Sequence, residues 1–512
     1  MGRTVALALA FLSLTAGEAQ ATTFEVIVVP GLRLSDLPQL EDEGAVGLLV
    51  PGAGPETSGE LARASLVRGE VRNSLRGGPP SGRPLIELRT APLGSADGPA
   101  VYLGLPVGAR QPNDRRYPIL IVGGGFHGVL TSDSTRIPGL VSIADVAPTA
   151  LGVPSSLGYE QRENAAAEVL ALDRRIDANT RVRLPAELLA CGLLVLLALV
   201  FPAAAVPAFA TVLLANLAIV IAGVSGFWAV LVVVALAAGL GGPLLAFARP
   251  TALALGLGLA ATIAAYLLAF GLDSSVAVSP FGPWQNGRFY GLSNLLETML
   301  LVPAFASAAL LAGRLGWPAF AAMATLTFVA VTGNRFGADG GGAIVLAVGL
   351  AVLGVLLAGA GRRQFVLAVA VALALGAGLV ALDAATGSSS HVTRALEGGP
   401  PGLAADLRDR VVLSWERATD SWYVALVIAA FALALVFLAL RTIKRHGAGK
   451  QTAVPLALAA AIATSLVVND SPNDVLLVGF AAYVAADRGM LGARWPGPSR
   501  LRWSRSPVRL PS

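Results

Sequence analysis

Charge, cysteine and histidine are what this sequence has least of. Of 512 residues only 13% are charged, about half the share of a soluble domain, while 55% are apolar. That imbalance excludes an ordinary water-soluble chain. The one cysteine, Cys191, lies inside an apolar run, so no disulfide can form within the chain and thiol chemistry lacks a second sulfur. Three histidines, His127, His391 and His446, stand far apart, which excludes a local histidine-rich metal motif. The formal charge of +5 is small for this length. Its arginines gather at the edges of apolar segments, which is the mark of membrane topology rather than of nucleic-acid binding.

What is present is apolar length. A mean hydropathy of +0.70 places the chain among membrane proteins. The expected fold class is an α-helical polytopic membrane bundle of about eleven transmembrane helices, preceded by a small extracytoplasmic α/β domain. Residues 1–21 read as a secretory signal, with Arg3 as the positive start, Val5 to Leu14 as the apolar stretch and Ala19-Gln20-Ala21 as the cleavage site. An uncleaved anchor is the alternative, and it places the next segment on the same side.

Residues 22–160 alternate short β-type runs with Gly/Pro-rich turns. Strands are expected at Phe24–Val29, Ala45–Val50, Leu85–Arg89, Val101–Leu105 and Tyr117–Val122, and helices at Ser58–Val71 and Leu140–Leu151. The runs are continuously apolar, which favours strands buried on both faces and a mostly parallel sheet. Residues 161–185 read as a charged connector and 186–488 as the bundle, with an outer loop at 384–420 and a basic cytoplasmic tail at 489–512. The eleven spans fall near 186–201, 205–223, 226–246, 251–271, 291–311, 316–332, 342–360, 364–383, 421–441, 452–469 and 473–488. Starting outside, an odd count puts the C-terminus inside. The inner loops then carry Arg249, Arg314, Arg362-Arg363 and Arg441 to Lys450, as the positive-inside rule requires.

The chain is organised around the stretch Gly287 to Glu297, a polar, glycine-punctuated loop that runs into an apolar helix. Tyr290, Asn294 and Glu297 follow i, i+4, i+7 spacing, which puts them on one helical face with the carboxylate about two turns in. A carboxylate at membrane depth costs about 2.5–3.5 kcal/mol on insertion scales, so it faces protein or a wet cavity. The same topology puts Arg288, the loop of Asn334, Arg335 and Asp339, the residues His391 and Arg394, and the loop of Asn469, Asp470, Asn473 and Asp474 on the extracytoplasmic side. Each has a plain structural alternative. The 469–474 stretch equally suits a tight turn, with Ser471 as a cap and Pro472 starting the last helix. Arg335 beside Asp339 equally suits a structural ion pair. Leu403, Leu407, Val411 and Trp415 recur every four residues, which predicts an amphipathic helix at the membrane interface.

Two pieces of the outer domain resemble the alkaline-phosphatase/sulfatase-like superfamily. Val26-Ile27-Val28-Val29-Pro30-Gly31-Leu32-Arg33 is similar to its first strand, and Arg136-Ile137-Pro138-Gly139-Leu140-Val141-Ser142-Ile143-Ala144-Asp145-Val146-Ala147-Pro148-Thr149 to a late segment. Pro30 stands where that superfamily places a metal-binding aspartate, and His127 is the domain's only histidine. The resemblance therefore implies a shortened, degenerate member that binds or docks rather than transfers phosphate, with no metal and no cofactor. The membrane part resembles bacterial multispan proteins of no assigned activity that carry the elements seen here at Gly287 to Asn294, Gly337 to Gly341 and Ser389 to Ala395.

Acids, amides and arginines thus converge on one face of a bacterial inner-membrane protein. The leading expectation is a transporter or flippase of an anionic, lipid-linked envelope precursor such as a lipid-linked glycan or phospholipid. Arg288, Arg335 and Arg394 would hold phosphate and Glu297 would couple protons or bind sugar hydroxyls. A membrane-embedded glycosyltransferase or ligase with Glu297 or Asp339 as base is the second reading. A non-catalytic assembly or sensing protein, meeting an envelope partner through residues 22–160, is the third. The bilayer is a partner in all three, and nucleic acid in none.

Overall fold

The computed structural model describes residues 23–74, 83–153, 157–284, 290–333, 336–337, 340–359, 363, 370, 408, 411–412, 414–419, 421–469 and 472–492. The expected signal segment and nearly all of the basic tail and of the expected span at 364–383 lie outside them, as do Arg288, Asn334, Arg335, Asp339, His391, Arg394 and Asp470. The chain packs as two units, one of residues 1–177 with 284–289 and one of residues 178–283 with 290–512.

The first unit is an α/β fold. Its strands are β1 (Glu25–Val28), β2 (Ala45–Val50), β3 (Glu56–Thr57), β4 (Arg89–Thr90), β5 (Ala100–Leu103), β6 (Gln111–Pro112), β7 (Tyr117–Val122), β8 (Gly128–Ser132), β9 (Leu140–Ser142) and β10 (Leu157–Glu160). Seven of them run in the order β10-β8-β2-β7-β5-β1-β4, β9 also pairs with β2, and β3 and β6 form a separate ribbon. Every residue of β2 is buried, so the sheet is covered on both faces as its apolar runs require. The sheet is nevertheless mixed. β1 lies parallel to β4 and β5, and β2 parallel to β8 and β9, but β7 runs antiparallel to both of its neighbours, with Leu120 between Val46 and Tyr102. Continuous apolarity reports burial on two faces, not strand direction.

Local chemistry sets the helix ends. Ser58 caps the helix α1 (Gly59–Arg68) by accepting from Leu61 N at 3.1 Å, and Gly69 closes it in the left-handed region at φ 61°. The helix expected at Leu140–Leu151 is shorter. Its first residues pair with β2 as β9, a 3-10 turn follows at Ile143–Asp145, and only α2 (Val146–Ala150) is α-helical. The strand expected at Leu85–Arg89 is reduced to Arg89–Thr90.

The helices that follow are α3 (Ala165–Val200), α4 (Pro202–Ile221), α5 (Phe227–Phe247), α6 (Ala252–Leu272), α7 (Asn294–Leu315), α8 (Trp317–Thr332), α9 (Gly340–Ala358), α10 (Trp422–His446), α11 (Ala453–Val468) and α12 (Pro472–Gly492). All but α8 and α12 meet the length and hydropathy of a membrane span, so the described residues supply eight spans rather than eleven. Of the other three expected, α8 is a shorter apolar helix, α12 forms without joining the eight, and the third lies outside the described residues. The connector is not a separate element, because α3 runs unbroken through it into the first span. Pro202 stands at the first position of α4, after Phe201 breaks the helical backbone, which permits the short α3–α4 connection. A π-helical turn at Ala237–Gly241 interrupts α5 where Thr211 Oγ1 donates to Ala237 O at 2.7 Å. Of the expected interfacial helix, residues 408, 411–412 and 414–419 are described and helical, and Ser414 Oγ donates to Leu466 O at 3.3 Å.

Candidate functional site

The site is built around the start of α7. Ser293 caps it, accepting from Leu296 N at 3.0 Å while Glu297 N donates to Ser293 O at 2.8 Å. The helix therefore begins at Asn294. Tyr290 precedes it and does not share a helical face with Asn294 and Glu297, although it is buried. Glu297 lies in the first turn rather than two turns in, where the partial positive charge of the helix N-terminus favours a carboxylate. It is also fully buried. Asn469, at the C-terminal cap of α11, donates its amide to Glu297 Oε2 at 3.1 Å and to Ser465 Oγ at 2.8 Å. Asn294 O accepts from Thr298 Oγ1 at 2.7 Å, so this residue's backbone is committed to the helix.

Glycines bring two of the recognised elements together. Leu292 N donates to Gly337 O at 3.0 Å, and Gly337 N to Ala330 O at 3.0 Å. Gly291 has φ +75°, and a Cβ there would overlap the Gly337 carbonyl oxygen. The loop before α7 and the loop after α8 thus touch backbone to backbone.

A second anchor lies at the start of α12. Asp474, in its first turn, pairs with Arg183 of α3 at 3.0 Å, and Arg183 also donates to Gly282 O. One helical turn along α3, Glu187 is buried and interacts electrostatically with both Arg183 and Asp474. Asn473 is exposed.

The segment from Asp273 to Gly282 ties these anchors together. Asn179 Nδ2 donates to Val278 O at 3.0 Å. Asn216 of α4 donates to Tyr266 OH and to Ser279 Oγ, both at 3.2 Å, and accepts from Phe281 N at 3.4 Å. Ser293 Oγ donates to Phe281 O at 2.6 Å. The backbone around Val278 to Phe281 is thus held by hydrogen bonds to side chains of α3, α4 and the α7 cap.

Neither a family model, nor a curated protein, nor a solved structure matches this chain.

Its links close a ring. Arg183 reaches Gly282, the neighbouring Phe281 reaches Ser293, α7 carries Glu297 to Asn469, and the short connection from Asn469 leads to Asp474, which returns to Arg183. Of the expected site residues the ring contains Glu297, Asn469 and Asp474, with Tyr290 and Asn294 beside Glu297 in the chain. It also contains Arg183 and Glu187, which the sequence reading placed in a connector and a plain span. Their signal was available, because a carboxylate and an arginine four residues apart at the edge of an apolar run meet the same criterion that singled out Glu297. Among the described residues of the ring, two carboxylates, Glu187 and Asp474, interact with the Arg183 guanidinium, and Glu297 is held by Asn469. Such a set can hold a proton or a cationic group, and its amides can hold hydroxyls.

In the first unit, the residues of the superfamily resemblance have local roles. Pro30 is exposed just past β1. Asp145 is buried and accepts from Ser132 Oγ and from Ser134 Oγ, the latter at 2.6 Å, so its carboxylate holds the β8 end to the following turn. His127 packs against Tyr159 with ring centres 4.7 Å apart and planes tilted by 46°, and its Nδ1 lies 2.6 Å from Gly125 O. Among the described residues no three His, Cys, Asp or Glu side chains are grouped to hold a metal ion.

Proposed function

We propose that this protein is a bacterial inner-membrane transporter that moves an anionic, lipid-linked envelope precursor, with the buried polar ring as its working site. One observation carries the reading. Glu297 is buried in the first turn of α7 and held by Asn469 at the C-terminal end of α11, beside an irregular segment that Ser293 also bonds. Ionisable groups at membrane depth are costly, and broken or irregular backbone inside a bundle marks binding sites. In this reading the carboxylates carry the coupling charge, the amides meet hydroxyls of the cargo, and Arg288, Arg335 and Arg394 take its phosphates.

The orientation belongs to the same proposal. The last turn of α7 carries Arg314 and that of α10 carries Lys444 and Arg445, while the acids Glu297 and Asp474 stand in first turns. That distribution supports a cytoplasmic face at the basic ends and an outer face at the ring. The α/β unit is read as an extracytoplasmic binding module related to the alkaline-phosphatase-like fold. Asp145 spent on two serines and Pro30 at the end of β1 support docking rather than phosphate transfer.

The test uses a deletion strain complemented with wild type, Glu297→Gln or Asp474→Asn, each checked for membrane expression. The leaflet in which lipid-linked precursors accumulate is then measured. Accumulation on the inner leaflet in the deletion and both variants is expected. Accumulation on the outer leaflet points to a ligase instead, and wild-type behaviour of both variants removes the ring as the working site.

A further inference from the structure

We propose that Glu187 is the proton-binding residue of this site, and that Arg183 exchanges Asp474 for Glu187 when the proton leaves. The inference deepens the transporter reading by naming its coupling ion, and it rests on that reading for the coupling alone.

Arg183 and Glu187 are four residues apart on α3 and so lie on one face of it. Arg183 already has its partners, Asp474 Oδ2 at 3.0 Å and the carbonyl of Gly282. Glu187 interacts electrostatically with both Arg183 and Asp474. Among the described residues, the charged and titratable groups that face it are Arg183, Asp474 and, one turn further along α3, Cys191. Two carboxylates and one guanidinium leave a net charge of −1 unless one carboxylate carries a proton. Glu187 is 4% exposed, whereas the Asp474 side chain is 22% exposed. A lone buried charge is costly, so the proton sits on the deeper residue and the ion pair on the shallower one.

The step follows from that arrangement. Glu187 releases its proton to water and becomes a carboxylate beside Arg183. The guanidinium turns to it, and Asp474, now without its partner, is solvated at the start of α12. Since Arg183 also holds Gly282, the same movement loosens the irregular segment that Asn179, Asn216 and Ser293 otherwise fix. One proton thereby controls two of the ring's links.

The experiment uses the full chain in proteoliposomes. A hydrophobic carbodiimide adds to a protonated carboxylic acid, the acid proton passing to nitrogen and the carboxylate oxygen bonding to the central carbon, and rearrangement leaves a stable acylurea. Mass spectrometry of the peptide containing Glu187 is expected to show labelling in acid that is lost as pH rises. No labelling at any pH, labelling that ignores pH, or protection by sodium at fixed pH overturns the proposal, the last in favour of a cation site. The exchange itself is read with Asn473→Cys in a Cys191→Ser chain, using a membrane-impermeant maleimide. The alkylation rate relative to the same chain carrying Glu187→Gln is expected to rise severalfold from acid to alkaline pH, and Glu187→Asp is expected to keep the rise. A constant ratio overturns the exchange. Neither readout measures transport. PH-dependent labelling without transport therefore rejects the transporter reading alone, and transport without labelling rejects this inference alone.

Discussion

Asn469 and Glu297 are 172 residues apart in sequence and meet at 3.1 Å inside the bundle, amide donor to carboxylate oxygen. The contact joins the end of α11 to the first turn of α7. It also explains how an apolar bundle tolerates the carboxylate, since the helix N-terminus and the amide together replace part of its lost hydration. Asn469→Leu removes that donor and leaves the carboxylate buried. A loss of about 1–3 kcal/mol is expected, read as a lower thermal midpoint in detergent. Glu297→Gln keeps a hydrogen-bonding group of the same shape, so its midpoint should stay near wild type while function is lost. Equal destabilisation by both would make the pair purely structural.

The contact of Gly291 with Gly337 makes a separate prediction. Gly291→Ala combines a positive φ with overlap of a backbone carbonyl, and Gly337→Ala meets the carbonyl oxygens of Val331 and Ala330. Backbone cannot yield as a side chain can, so both variants should lose folded, monodisperse protein. Gly313→Ala is the control. It lies on α7 with nothing within 4 Å of the added methyl. Its helix should gain up to about 1 kcal/mol, giving a midpoint equal to or above wild type.

These residues also show what the sequence makes legible. Eight spans are readable because about twenty apolar residues in a row have few other uses. Glu297, Asn469 and Asp474 are readable because each interrupts such a run. The partners are not, because pairing across 172 or 291 residues depends on how the helices pack. Arg183 escaped notice as one arginine in a charged stretch, and its burial comes only with the continuity of α3. The helical face assigned to Tyr290, Asn294 and Glu297 failed for a local reason: Ser293 is a good cap, and it starts the helix after Tyr290. Strand direction was illegible because β7 has the same apolar run whichever way it points.

In the α/β unit, pH should act through Tyr117. Burial pushes its hydroxyl above the ordinary value of 10.0, while Arg115 and the hydrogen bond from Gln111 pull the other way. A raised value in the folded state means that the unfolded chain ionises first as pH climbs. The stabilisation is complete below about 10 and is lost as pH rises through the folded value. Tyr117→Phe removes that dependence. Between pH 9 and 11 the wild-type midpoint should fall more steeply than that of the variant, and parallel curves would show that Tyr117 contributes nothing to it.

The ion pair of Arg183 with Asp474 should obey the asymmetry of buried charge. Arg183→Met strips Asp474 of the cation it pairs with and leaves the Gly282 carbonyl without that donor, so about 3–5 kcal/mol should be lost. Removing both charges, with Arg183→Met and Asp474→Leu together, leaves no unpaired ion from the pair and fills the site with apolar atoms. The double variant should therefore be more stable than Arg183→Met alone, although Gly282 still lacks its partner. Thermal midpoints of the two single variants and the double variant complete the cycle. A double variant no better than the sum of the singles would mean that Asp474 is already solvated in the resting protein and that Arg183 acts mainly by holding the loop at Gly282.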